Sequence, residues 1–228
     1  MLQPAPLQKR DWLIPVGLIA LTFIPAPAGT IRLVQLGGSA GMTAKNARFF
    51  TSPTPAVLHI VSAIIYCVLG AFQFSPSLRR RKPGWHRAAG RVFVPCGLVA
   101  ALSGLWMTQF YPTGIAPPAS FDGPVLYVIR LVTGTAMALF LYLGISAAKR
   151  RAIRSHQAWM MRAYALGLGA GTQAFTHIPW FLFPSIQGEL ARTVLMGAGW
   201  AINLAVAEWL ISRSNLSSGM STVAAKAA

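Results

Sequence analysis

Six apolar stretches alternate with short polar ones along the chain, at about residues 12–30, 56–74, 88–110, 124–148, 157–181 and 190–211. Each has the length of the roughly 20-residue helix that crosses a bilayer. The pattern predicts an all-α fold: an integral membrane bundle of about six transmembrane helices, forming a single domain over residues 1–211. A Ser- and Ala-rich tail over 212–228 follows, expected to be flexible and cytoplasmic. The loop over about 32–55 holds Gly37, Gly38, Gly41, Pro53 and Pro55 and reads as irregular.

The first stretch has two readings. Lys9 and Arg10 ahead of it, and Ala26-Pro27-Ala28 after its apolar centre, fit a cleaved signal peptide. The run also extends toward Ile31 and so reaches spanning length, which fits an uncleaved helix. Both readings make the following loop extracytoplasmic.

Composition supports the membrane. Hydrophobic residues make up 54% of the 228 positions and charged residues 11%, against about 25% charged in soluble domains. The bilayer is therefore the first expected partner. Net charge is +16, which in a soluble chain would suggest nucleic acid. Here no soluble basic domain exists to bind it, and the bases gather at helix ends. Fifteen of them fall on one side: Lys9 and Arg10, Arg79 to Lys82 with Arg87 and Arg91, Lys149 to Arg151 with Arg154 and Arg162, and Arg213 with Lys226. Arg32, Lys45, Arg48 and Arg192 fall on the other, and Arg130 lies within the fourth stretch. Short basic loops stay in the cytoplasm, so both termini are expected inside a bacterial inner membrane.

The two cysteines, Cys67 and Cys96, sit in separate apolar runs and read as small buried hydrophobes. Walker A and H-E-x-x-H strings are absent, and the four acids are never adjacent. No catalytic residue or metal site is predicted, and these residues leave open whether the chain is an enzyme. Glu208, near the inner end of the sixth stretch, is expected to pair with an inner-face arginine. Small residues such as Gly134, Gly167, Gly169, Ala170 and Gly171 should face the bundle interior, where close approach replaces the hydrophobic effect.

The four histidines sort into two pairs. His59 and His177 lie at matching depth near the outer ends of the second and fifth stretches. His59, Ser62, Ala63, Tyr66, Gly70 and Gln73 follow one helical face and should point inward. Two neutral imidazoles at equal depth can ligate a haem iron from both sides, with Gln173 orienting a ring and Ala63, Ala170 and Gly171 leaving room. Haem b is thus the cofactor to test. The plain alternative is two interfacial histidines bonded to water or carbonyls. His156 and His177 are 21 residues apart, about 31 Å along a straight helix, so one haem or none is expected rather than two.

The inner pair stands in basic surroundings: His86 with Arg87 and Arg91, and His156 with Trp159 and Arg162. Converging at one membrane face, these residues would hold an anion such as a lipid headgroup phosphate or a haem propionate. Ordinary positive-inside anchoring with an aromatic belt is the alternative. The functional readings are therefore a haem-binding or redox membrane protein, or a transporter-like or anionic-lipid-binding one.

The inner motifs also carry a resemblance. His86-Arg87-x-x-Gly90-Arg91 and His156-x-x-Trp159-Met160-x-Arg162-x-Tyr164-Ala165, with Leu58-His59 and Gly70-Ala71-Phe72-Gln73-Phe74, resemble the membrane protein family catalogued as domain of unknown function 2306. The resemblance runs from about Pro53 to His177. It implies a multi-helix bacterial membrane protein and brings no activity with it. Phe93, Gln157 and Gln173 stand where that family often has Tyr, Arg and Arg.

Overall fold

Prolines open most of the long helices. The computed structural model describes residues 12–39, 41–43, 46–111 and 121–227. Helices α4 (Pro53–Gln73), α5 (Pro76–Arg81), α6 (Pro83–Phe110) and α7 (Pro124–Lys149) each begin on proline. The missing N–H is harmless there, and the fixed φ suits the first turn. This explains why α6 starts at Pro83, a turn before the apolar run begins at residue 88. The described residues contain no strand.

Proline further along does the opposite. The first apolar stretch forms α1 (Leu13–Phe23) and α2 (Pro25–Val34), bent by 44°. Pro25 cannot donate to the Leu21 carbonyl four residues back, and its ring crowds that carbonyl, so the helix kinks. Residues Gln35–Ser39 close α2 as a π-helical turn, ended by Gly38 at φ 104°. A short α3 (Ala47–Thr51) leads into α4.

The fifth expected helix, 157–181, is also broken. It consists of α8 (Ile153–Gly167), α9 (Gly169–Thr176) and α10 (Ile178–Leu182). Glycines flank the first break at Leu168, and Pro179 lacks the N–H that would continue the ladder past His177. Among the described residues four helices are long and apolar enough to cross a membrane, or five if the bent α1–α2 pair is one span. The expected count of six meets that difference at the broken segment. The last helix, α11 (Glu189–Ala227), continues past residue 211, where the sequence pattern ends it. Serine and alanine sustain a helix once it is nucleated.

The helices pack in sequence: α4 on α6, α6 on α7, α7 on α8, and α8 with α9 on α11, while α1 rests on α4 and α9. At the centre Tyr66, Phe93 and Tyr164 form an aromatic cluster with Met137, Leu141 and Met160. Tyr66 stacks on Phe93 at 4.3 Å between ring centroids. Glycine makes room for these rings. A Cβ on Gly97 or on Gly167 would stand 2.5 Å from the Tyr66 ring, and one on Gly70 would overlap Tyr164. The inward stripe on α4 holds, since Ser62, Tyr66, Gly70 and Gln73 are buried. Cys67 is buried and Cys96 half-buried, both free. Outside this core, Val61, Val92, Leu102, Val128, Val132, Leu139 and Val206 are exposed, an apolar perimeter suited to lipid.

Candidate functional site

His156, in the first turns of α8, turns its ring back to α7 and donates Nδ1–H to the Gly144 carbonyl (2.9 Å). His86, in the first turn of α6, is anchored through its backbone: buried Gln73 donates Nε2–H to its carbonyl (3.1 Å). The His86 ring lies within electrostatic range of His156, Arg79 and Arg87. Its Nδ1 is buried and has no hydrogen-bond partner among the described residues. The two histidine motifs therefore converge at one end of the bundle. Arg79 on α5 joins them, and burial and the neighbouring Arg80 pull its guanidinium below the usual arginine range.

The rest of the expected inner set divides. Arg162 forks onto Glu208 of α11 through Nε and Nη2, which is the pairing expected for that acid. The same guanidinium sits 4.7 Å above the Trp159 ring, and Trp159 in turn lies 5.4 Å from Phe140. Trp159, Arg162 and Glu208 form a unit of their own. Arg87 and Arg91 are exposed. Sequence reasoning overlooked Arg79, which stands in a run of four bases with no register until α5 winds it.

The outer histidines are seated differently. His59 lies on the α4–α6 seam, where Nδ1–H donates to the Ala100 carbonyl (2.8 Å) beside the Ser103 hydroxyl at 3.3 Å. It lines a cavity of about 170 Å³ at the α1–α2 bend, with Leu21, Thr22, Gly29, Ile64 and Gly171 among the walls. Gly171 closes in on the Leu21 carbonyl that Pro25 leaves without its helical donor, so closely that a Cβ there would clash with the oxygen. His177, at the α9–α10 joint, donates Nδ1–H to the Gln173 carbonyl (2.8 Å) and is not among the cavity walls. The Gln173 side chain is engaged elsewhere, donating to the Met196 carbonyl (3.1 Å). Its carbonyl, not its amide, holds the histidine ring. The structure does not bring His59 and His177 to the two sides of this cavity. Sites for small molecules measure about 300–1,000 Å³, so a macrocycle does not fit here without outward movement of the α1–α2 segment.

A further cluster lies at the other end of α7. Asp122 accepts from Arg130 Nη1 (2.9 Å) and from Arg192 Nε (2.5 Å). Arg48 lies within electrostatic range of Asp122, Arg130, Arg192 and Arg32. Arg32 and Arg48 both stand over the Phe49 ring, at 4.6 and 4.9 Å from its centroid. The in-helix Arg130 is thus accounted for by an acid eight residues before it.

Gly37-Gly38-Ser39-Ala40-Gly41 fits G-x-S-x-G, but a nucleophile elbow needs a strand-to-helix turn. Here Ser39 closes a π-helical turn after α2, so the spelling carries no catalytic reading. Among the described residues no three of His, Cys, Asp and Glu are grouped as a metal site.

Neither the curated proteins nor the solved structures provide a match. The family described as "Predicted membrane protein (DUF2306)" matches residues 56–211, the stretch from α4 to α11 that carries both histidine pairs and the aromatic core. This chain is a multi-pass protein of the lipid bilayer and belongs to that family.

Proposed function

We propose that this protein binds a phosphate-bearing anion, in the first place an anionic lipid headgroup, at the end of the bundle where α6 and α8 begin. One observation carries the reading: His86 Nδ1 is buried with no hydrogen-bond partner among the described residues, within electrostatic range of Arg79, His156 and Arg87. A buried ring nitrogen without a partner costs about 1–3 kcal/mol, and an anion bearing a proton, or a water shared with it, relieves that. His156 spends Nδ1–H on the Gly144 carbonyl, which fixes its ring and leaves Nε2 as the nitrogen that can face a ligand. The guanidinium groups of Arg79 and Arg87 supply the charge, Arg91 extends the basic rim, and Arg162, neutralised by Glu208, contributes least.

The test is lipid retention. Wild type solubilised from membranes rich in phosphatidylglycerol should retain that lipid through detergent washes. His86→Ala and Arg79→Gln should lose most of it, and Arg91→Ala or Arg162→Ala less. Equal retention by all of them would leave plain charge anchoring. The 15-to-4 split of basic residues supports placing this end, and both termini, on the cytoplasmic side of a bacterial inner membrane. A reporter after Ala228 should then read cytoplasmic, and one at Gly114, outside the described residues, periplasmic.

A second reading is haem binding at His59, with His177 and Gln173 as the further members of the site. It is favoured by one feature: His59 and His177 each donate Nδ1–H to a backbone carbonyl, the arrangement that leaves Nε2 available to a metal. The size of the cavity weighs against it. Protein purified from haem-replete cells should show a Soret band that His59→Ala removes; a colourless wild type ends this reading.

A further inference from the structure

Among the described residues, the cluster around Asp122 holds more guanidinium groups than carboxylates. The sequence has four acids. Three of them lie among the described residues, and of these Glu208 is committed to Arg162. That leaves Asp122 and Glu189, whose carboxylate packs against Gly123 so closely that a Cβ there would overlap it. Facing them are Arg32, Arg48, Arg130 and Arg192. Four guanidinium groups against two carboxylates leave an excess of two positive charges next to an apolar perimeter.

The geometry of the excess is specific. Both Asp122 oxygens are taken, one by Arg130 and one by Arg192. Arg130 spends a second nitrogen on the weak acceptor Met196 Sδ at 3.5 Å. Arg32 donates Nη1–H to Gln35 (2.9 Å). Arg48 has a buried Nε with no hydrogen-bond partner among the described residues, and burial together with the other arginines pulls its guanidinium below the usual range. A guanidinium held among others of its kind, with a donor unused, is an unfilled site for an anion.

We propose that Arg48, Arg130 and Arg192 form a second phosphoryl-binding site, at the end of the bundle opposite His86 and His156. A carboxylate would not exhaust it, since Asp122 already shows how one is consumed by two arginines. A phosphoryl group offers three oxygens and up to two negative charges, which matches three guanidinium groups and the excess of two. Arginine is the residue whose planar fork suits such oxygens. The phosphoryl group belongs either to a lipid headgroup or to a free phosphate ester, and the test separates the two.

The protein is purified in non-ionic detergent and stripped of lipid. Inorganic phosphate and pyrophosphate are then titrated by calorimetry against wild type, Arg48→Gln, Arg48→Lys and His86→Ala. We expect pyrophosphate to bind wild type, Arg48→Gln to weaken it at least tenfold, and Arg48→Lys to weaken it less, because charge without the fork remains. His86→Ala should lose only the binding event of the site proposed above and keep the Arg48-dependent one at wild-type affinity, which separates the two sites. Among the described residues Arg48 makes no ion pair, so its replacement leaves the Asp122 pairs intact; if Arg48→Gln does not fold, Arg48→Lys carries the comparison. Repeating the titration in nanodiscs names the source. Loss of pyrophosphate binding in phosphatidylglycerol, but not phosphatidylcholine, assigns the site to a lipid headgroup; binding in both assigns it to a soluble anion. Absence of binding in detergent together with no lipid preference in native mass spectrometry overturns the proposal, as does wild-type affinity in both Arg48 variants.

Discussion

The two ends of α7 carry the same kind of charge and handle it in opposite ways. At the Asp122 end, arginines from α2, α3, α7 and α11 gather around one carboxylate that is 6% exposed. At the other end the bases are more numerous but mostly face outward, and the acid present, Glu208, is 48% exposed and pairs with Arg162 alone. The first arrangement is built from four separate parts of the chain and ties them together. The second is a rim of long side chains around two histidines. Position relative to solvent, more than charge count, decides which cations contribute to the fold.

Asp122→Asn should give the largest effect. Breaking a buried ion pair on one side costs about 3–5 kcal/mol, and the lower end applies here because Arg130 and Arg192 are 25% and 29% exposed. The thermal midpoint in detergent should fall by several degrees. An unchanged midpoint would mean that the arginines are already solvated and the two ends are alike. The same carboxylate makes a pH prediction. Although burial acts to raise it, its hydrogen bonds and charge contacts with Arg130 and Arg192 hold it down at about 2, below the roughly 3.9 of a free aspartate. Its stabilisation is therefore complete above about pH 4 and is lost as the pH falls toward 2. Between those limits the wild-type midpoint should decline more steeply than that of Asp122→Asn.

A reference in the waist between the ends comes next. Gly97→Ala pushes a methyl group into the Tyr66 ring, and overpacking of this kind costs about 1–3 kcal/mol. Loss of this size with both anion responses intact would show that core and ends are independent. Tyr66→Phe should go the other way. The Tyr66 hydroxyl is buried with no hydrogen-bond partner among the described residues, so removing it should raise stability by up to about 1 kcal/mol. A fall would reveal a partner for that oxygen. Glu208→Gln should show the smallest change, at most about 1 kcal/mol, as expected of an exposed pair. If it matches Asp122→Asn, the contrast between the ends fails.

Much of this architecture can be read along the chain, and the exceptions have local causes. The apolar runs at 56–74, 88–110, 124–148 and 190–211 fall on α4, α6, α7 and α11, the last extending beyond its run, because nothing within them is strong enough to stop a helix, Pro95 included. The run at 157–181 looked equally continuous, yet hydropathy does not register that Gly167, Gly169 and Gly171 weaken a helix at one point and Pro179 ends it at another. The meeting of His86 and His156 was legible because both begin helices entering from the same end. The cluster around Asp122 was not: Arg192 is 70 positions away, and a separation of that kind carries no periodic signal. For His59 the inward direction was legible, but its partner was not, since the ring bonds to α6 and not to the segment carrying His177.

The approach of Gly171 to the Leu21 carbonyl that Pro25 leaves free links two positions far apart in the chain, 25 and 171. Pro25 lies ahead of the region matched by the family, and Gly171 lies inside it. The proline exposes the Leu21 carbonyl, and only a residue without a side chain can approach that oxygen as Gly171 does. A lineage that lost the proline would straighten the helix and withdraw the oxygen, freeing position 171 to vary. One that enlarged residue 171 first would meet a clash. The two positions should therefore change in a fixed order over descent, proline first and glycine second, and the record of that order would be written in relatives that retain the leading segment.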